Sequence, residues 1–280
     1  MRTRRPVAVA LIAATTMVAA AALSAAALQS GGDSGQPTGT DHGDGTPIAT
    51  DAATLAPPAQ PAFTVATPRP LRVSRGLARW APVLRPAVAR ARCRPHAPVV
   101  ARISTQTPEG TTNILLVIGV RRDPMGGLWA QVRLPILPNN TTGWVRRSAL
   151  GGYRFVATHL IVDLRSLEAT LYRGRTALFR APVGVGAKGT PTPVGRFYIR
   201  DRLTRYASPF YGPIAFGTSA RSPVLTDWPA GGYVGIHGTN EPQLIPGRIS
   251  HGCVRLRNAD IRRLAKLMPI GTPVTITRER

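Results

Sequence analysis

The sequence predicts a mainly β protein in two parts: a small β domain over residues 97–152, then a larger β-rich domain over 155–277 that carries a short C-terminal helix. Three observations lead there. Short runs such as Trp129-Ala130-Gln131-Val132-Arg133-Leu134 alternate apolar and polar residues, the period of a half-buried strand. Turn clusters such as Arg122-Asp123-Pro124-Met125-Gly126-Gly127 and Pro138-Asn139-Asn140-Thr141 separate those runs. Near the end, Ile261, Leu264, Ala265 and Met268 recur at helical spacing. Asn258 is placed to cap that helix, and Pro269 and Gly271 stop it.

The first domain is expected to use Val99 to Ile103, Asn113 to Val120 and Trp129 to Leu134 as strands. The second opens with His159 to Leu164. Leu171 to Arg173 and Ala177 to Val185 follow, with Gly174 in the turn between them. Gly195 to Arg200 is a further strand, and Val274 to Ile276 is the last. Residues 201–233 are rich in Ser, Pro and Gly, so a functional loop or lid is expected there. There is no internal repeat.

The N-terminal third reads differently. Arg2, Arg4 and Arg5 precede an apolar run from Pro6 to Leu28. That layout is a signal peptide or, uncleaved, a membrane anchor over 1–28. Either places the rest of the chain outside the cytoplasm. Residues 29–96 read as a linker, first Pro, Gly and Ala rich, then Arg rich. Arg69 to Arg94 holds eight arginines and no acid. It is either a basic segment resting on an anionic surface or a solvated linker.

The chain has 36 basic and 13 acidic residues. Such a surface favours a polyanionic partner without choosing among nucleic acid, membrane and wall polymer. No helix-turn-helix or zinc-finger pattern supports nucleic acid. Cys93 and Cys253 are too few for a disulfide framework. Cys93 is a free thiol in the linker or, alternatively, a partner for a single bridge.

Chemistry concentrates in Ile236-His237-Gly238-Thr239 and Ser250-His251-Gly252-Cys253-Val254-Arg255-Leu256. A thiol beside His and Arg is a candidate nucleophile, because neighbouring positive charge favours the thiolate. His237 is the candidate base that takes the thiol proton and returns it to a leaving amine. Gly252 leaves the backbone uncluttered, so that amides near Cys253 can face an oxyanion. Three other readings stand beside this: an inert core thiol, a zinc site of His237, His251 and Cys253 without an obvious fourth ligand, and a structural His251.

At these residues the chain resembles the L,D-transpeptidase catalytic domain family. Val162-Asp163-Leu164, Val183-Gly184-Val185-Gly186 and Thr192-Pro193-Val194-Gly195-Arg196-Phe197 fit the same family in the same order, over roughly 155–277. The resemblance implies a β-sandwich, Cys253 as nucleophile, His237 as catalytic base, and the Gly238 carbonyl as the group that fixes the imidazole. It implies that Ser250, His251, Gly252, Arg255 and Thr239 bind substrate or oxyanion. It implies peptidoglycan stem tetrapeptides as donor and acceptor and no cofactor or metal, and the basic surface suits anionic wall polymers as a further partner. An L,D-carboxypeptidase that uses water as acceptor is the alternative with the same site. Upstream, the turns ending in Gly143-Trp144-Val145 resemble the SH3-like domains of bacterial wall proteins, so a non-catalytic wall-binding protein is the alternative of a different class. Trp129 and Trp144 are core aromatics or, in that reading, a binding groove.

Overall fold

The computed structural model describes residues 76–206, 208–226 and 232–278. The expected signal peptide or anchor of 1–28 and the expected linker up to residue 75 lie outside the described residues. Among the described residues no helix is long and apolar enough to cross a membrane.

Seven strands form the first sheet: β1 (Ala78–Pro82), β2 (Ala87–Arg90), β3 (Val99–Ile103), β4 (Ile114–Arg122), β5 (Leu128–Arg133), β6 (Thr142–Arg146) and β7 (Arg154–Val156). Their spatial order is β3-β2-β6-β5-β4-β1-β7. Two expectations are corrected here. β1 and β2 were expected in the linker, and β7 overlaps the expected start of the second domain. The arginines obscured β1 and β2, but alternate residues do point inward: Ala81 and Ala89 are fully buried beside Leu115, Val132 and Val145. A strand needs only one apolar face, so charge on the other face does not prevent it.

The second sheet holds ten strands: β8 (Thr158–Asp163), β9 (Glu168–Arg173), β10 (Thr176–Pro182), β11 (Gly184–Gly186), β12 (Gly195–Leu203), β13 (Ala215–Arg221), β14 (Tyr233–His237), β15 (Gly247–Ser250), β16 (Val254–Arg255) and β17 (Pro273–Thr277). Their order is β10-β9-β8-β17-β12-β13-β14-β16-β11-β15. Strand β12 is the corner. Its first half pairs with β17 and its second half with β13. The two halves of the sheet fold face to face, so Leu160, Val162 and Leu171 share one core with Phe216, Ile236 and Val254. The architecture is the expected β-sandwich, mainly β with one short C-terminal helix, α1 (Asn258–Leu267). Ile261, Leu264 and Ala265 face the core from that helix.

Three details differ from the sequence reading. Ala177 to Val185 is two strands, because the chain leaves one half of the sandwich after Pro182 and enters the other at Gly184. Strand β13 lies inside the expected loop of 201–233. Its residues Ala215-Phe216-Gly217-Thr218-Ser219-Ala220-Arg221 are small and polar, yet Thr218 and Ser219 are buried and hydrogen bonded. Finally, Arg257, not Asn258, occupies the helix cap position; Asn258 serves the site described below.

The two sheets are fastened together. Trp80, Ile114, Leu116 and Val156 pack around the fully buried Tyr198, whose hydroxyl donates to the Ile114 carbonyl at 3.0 Å. Buried Arg200 donates to Glu109 at 2.8 Å. The Asn139 amide clasps the Arg221 backbone at both ends, at 2.7 and 2.9 Å. Tyr233 donates to the Pro135 carbonyl at 3.1 Å and carries the Arg200 guanidinium 3.8 Å above its ring.

Trp80 lies flat against Gly271, where φ is +81° and an added Cβ would fall 2.0 Å from the indole Cδ1. Both the backbone conformation and the indole exclude a side chain there. Gly271→Ala is expected to cost about 2–4 kcal/mol, read as a drop of roughly 5–15 °C in Tm. An unchanged Tm would show that the indole moves aside freely.

Candidate active site

The site follows from strand register. β14 and β16 run parallel, with Ile236 opposite Val254 and His237 opposite Arg255. Alternate side chains on a strand face opposite ways. Ile236 and Val254 point into the core and are fully buried. Their neighbours Gly235, His237, Cys253 and Arg255 therefore share the other face. There a cavity of about 460 Å³ opens, lined by His237, Cys253, Arg255, Ser250, His251 and Tyr211 among others. The thiol and the imidazole both approach Gly235. A Cβ at that glycine would lie 3.6 Å from His237 Cδ2 and 3.8 Å from Cys253 Sγ. Having no side chain, Gly235 leaves its own N–H free to reach the sulfur, to which it donates at 3.3 Å.

The imidazole is fixed from behind. His237 Nδ1 lies 2.6 Å from the Gly238 carbonyl oxygen. A carbonyl only accepts, so Nδ1 carries the proton and Nε2 keeps its lone pair. Nε2, bonded to Cδ2, is therefore the basic nitrogen of the ring. Gly238 is itself wedged tightly. Any Cβ there would fall 2.3 Å from Asn258 Oδ1 and 3.0 Å from Gly212 Cα. Asn258 Oδ1 also accepts the Thr239 N–H at 3.0 Å. The helix start thus grips the peptide that holds the imidazole. Across the ring, Tyr211 packs edge-on to His237, with centroids 4.8 Å apart.

The turn before Cys253 is equally determined. Gly252 has φ of +117°, a conformation that favours glycine. Its N–H donates to Ser250 Oγ at 3.1 Å, and Ser250 donates to the Cys253 carbonyl at 2.6 Å. Thr192 donates to the Gly252 carbonyl and accepts the Gly186 N–H, both at 2.8 Å. Two of the sequence motifs thereby clamp the third.

Electrostatics correct one expectation. Arg255 does favour the thiolate, and so does the Gly235 N–H, but burial outweighs both and pushes the Cys253 thiol above its ordinary 9.0. Burial likewise lowers His237 from 6.5 to about 4, against the opposing pull of the Gly238 carbonyl. Both shifts favour a neutral thiol and a neutral imidazole over a preformed ion pair. Because the folded state refuses a proton that an unfolded imidazole accepts, acidification from pH 6.5 through about 4 weakens the fold.

Of the eight site residues expected from the sequence, Cys253, His237, Ser250, His251 and Arg255 line the cavity. Gly238 stands behind His237. Gly252 and Thr239 do not line the cavity: the Gly252 N–H is bound to Ser250, and Thr239 is fully buried, accepting the Glu241 N–H. Arg255 donates to Glu241 at 2.9 Å. Sequence reasoning missed Gly235, Tyr211, Thr192 as a clamp, and Asn258. Thr192 lay within a quoted motif; Gly235 and Tyr211 carried no signal without the fold. Among the described residues no three His, Cys, Asp or Glu side chains gather to hold a metal.

Two outcomes test this geometry. In a Cys93→Ser background, alkylation of Cys253 by iodoacetamide is expected to rise about tenfold per pH unit from about pH 6 to 8. A plateau across that range would mean a preformed ion pair. Asn258→Ala leaves the Thr239 N–H unpaired and loosens the imidazole, which is expected to lower turnover by roughly 10²-fold. Asn258→Asp keeps the acceptor and is expected to restore most of it.

Over 43% of the chain, the structure resembles the NMR structure of the catalytic domain from the Enterococcus faecium L,D-transpeptidase, covering 96% of that chain at 24% identity and a TM-score of 0.34. The chain is 35% identical over 120 residues to the putative L,D-transpeptidase YkuD of Bacillus subtilis, a match covering 43% of this chain and 66% of that protein. It is 34% identical over 141 residues to the probable L,D-transpeptidase YbiS of Escherichia coli K12, covering 43% and 45%. The chain thus spans less than two thirds of the length of these curated relatives. The family model described as the L,D-transpeptidase catalytic domain matches residues 157–276. Residues 157–276 are thus similar to the L,D-transpeptidase catalytic domain that this family model describes.

Proposed function

We propose that the chain is a peptidoglycan L,D-transpeptidase that forms 3→3 cross-links through a thioester on Cys253, acting outside the cytoplasmic membrane. The observation that carries this reading is the pairing of a cavity-facing thiol with an imidazole whose Nδ1 is held by the Gly238 carbonyl. That carbonyl takes the place an Asp holds in a serine-protease triad.

In the first half-reaction a stem tetrapeptide lies in the cavity. His237 Nε2 takes the Cys253 proton as sulfur attacks the carbonyl carbon of the third stem residue, expected to be diaminopimelate. The C–N bond to the terminal D-alanine breaks, and the imidazolium returns its proton to the leaving amine. In the second, an amine of a neighbouring stem attacks the thioester. The C–S bond breaks, His237 takes a proton from the amine, and the sulfur regains one. One amide replaces another, so no nucleotide or metal enters the balance. Resting neutrality suits this scheme, because charge appears only while the tetrahedral intermediate exists. Arg255, His251 and Ser250 line the cavity and are the groups placed to meet the stem peptide.

The test is incubation of the chain with disaccharide-tetrapeptide, followed by mass spectrometry. Cross-linked dimers and free D-alanine are expected. Tripeptide alone would establish the carboxypeptidase instead, with water as acceptor. Cys253→Ala is expected to lower product by about 10³-fold or more with Tm unchanged. Undiminished dimer formation in that variant would overturn the cysteine mechanism. No product from the parent, with wall binding kept in both, would leave a non-catalytic wall protein.

A further inference from the structure

A second concave surface lies on the first sheet, away from the thiol. A trough of about 520 Å³ is lined by Arg92 and Arg94 from the β2–β3 turn, Arg121 and Arg122 from the end of β4, and Trp144 from β6. The four arginines are exposed, and Trp144 is half-buried. Among the described residues none of the four pairs with a carboxylate. The acid in the trough wall is Asp123, and its charge is already answered. It is 5% exposed and accepts from Trp129 Nε1, the Gly127 N–H, the Met125 N–H and Arg146 Nη1, at 2.7–3.2 Å. The trough therefore keeps the charge of four guanidinia.

Like charges gathered in a concavity repel one another and raise its potential. The fold tolerates this with the β2–β3 turn drawn against β4, where the Cys93 thiol faces the Arg121 carbonyl at 3.9 Å. Guanidinium forks match phosphate oxygens bidentately. A concavity touches a linear chain on more sides than it touches a flat bilayer surface. Trp144, half-buried in the trough wall, sets an aromatic side chain beside these cations.

We propose that this trough binds a linear phosphodiester-bearing glycan of the cell wall, holding the enzyme on its substrate layer while the cavity over Cys253 works on the peptides. The placement at the wall rests on the transpeptidase reading; the anion site rests on the trough alone.

The experiment is sedimentation of the full chain with isolated wall sacculi, before and after hydrofluoric acid has removed their phosphodiester polymers, across a salt series. Expected is binding to untreated sacculi with a log K against log salt slope of about −3, near −0.7 per phosphate contacted by a flexible strand. Acid treatment is expected to abolish it. The quadruple variant Arg92→Gln, Arg94→Gln, Arg121→Gln, Arg122→Gln is expected to lose at least tenfold in affinity and most of the slope. The matching quadruple Arg→Lys variant keeps the charge and is expected to retain the slope, which controls for misfolding together with an unchanged Tm. Both variants are expected to process soluble disaccharide-tetrapeptide like the parent. Equal binding by the Gln variant, or by acid-treated sacculi, would overturn the proposal. So would tighter binding to a single-stranded oligonucleotide or to anionic lipid vesicles than to the wall polymer. If the parent shows trough-dependent wall binding but no peptide chemistry, the transpeptidase reading fails and the anion site stands.

Discussion

A carbonyl oxygen 2.6 Å from His237 Nδ1 decides which edge of the imidazole is basic. Everything at the site depends on that bond. It fixes the tautomer, leaves Nε2 as the basic nitrogen, and does so without a buried carboxylate. An Asp in that position would add a negative charge to a pocket where burial already disfavours the thiolate. A peptide carbonyl supplies orientation with no net charge. The requirement then passes to the peptide itself. Gly238 is held by Asn258 and by close contact with Gly212, and neither approach survives a Cβ. The first residue of the helix thus acts on the imidazole at one remove.

The same logic explains the neutral resting pair. Arg255 and the Gly235 N–H both favour a thiolate, yet burial exceeds them. A neutral thiol is slow to oxidise, and it is activated only when a base and an electrophile are both in place. The Tyr211 ring against His237 adds to the exclusion of water on which the low value near 4 depends.

The first sheet is more than an appendage in this arrangement. Asn139 clasps the end of β13 and Pro135 receives the hydroxyl of Tyr233, whose ring lies between the guanidinia of Arg200 and Arg221. Tyr233 begins the strand that carries Gly235 and His237, and it lines the cavity. Contacts from the first sheet therefore reach the wall of the site directly. The two sheets divide the labour by surface chemistry, one concavity holding sulfur and imidazole and the other guanidinium groups.

By itself the sequence determined what is local or repeated. Period-two alternation marked most strands, turn residues marked their ends, and the spacing in α1 marked its buried face. The clustered His237, Gly238, Ser250, His251, Cys253 and Arg255 named the chemistry, because reactive residue types beside glycines are visible in one dimension. Tertiary structure alone decided the rest. Strands β1 and β2 hid among arginines, since burial of one face shows only when a partner sheet covers it. Strand β13 hid among small polar residues satisfied by distant partners. Asn258 was legible as a helix start, but its bond to Thr239 spans residues that only folding brings together. The protonation of Cys253 and His237 also lay beyond the sequence. A pKa depends on how much protein surrounds a group, and that is set by the packing of the whole sandwich rather than by neighbours along the chain.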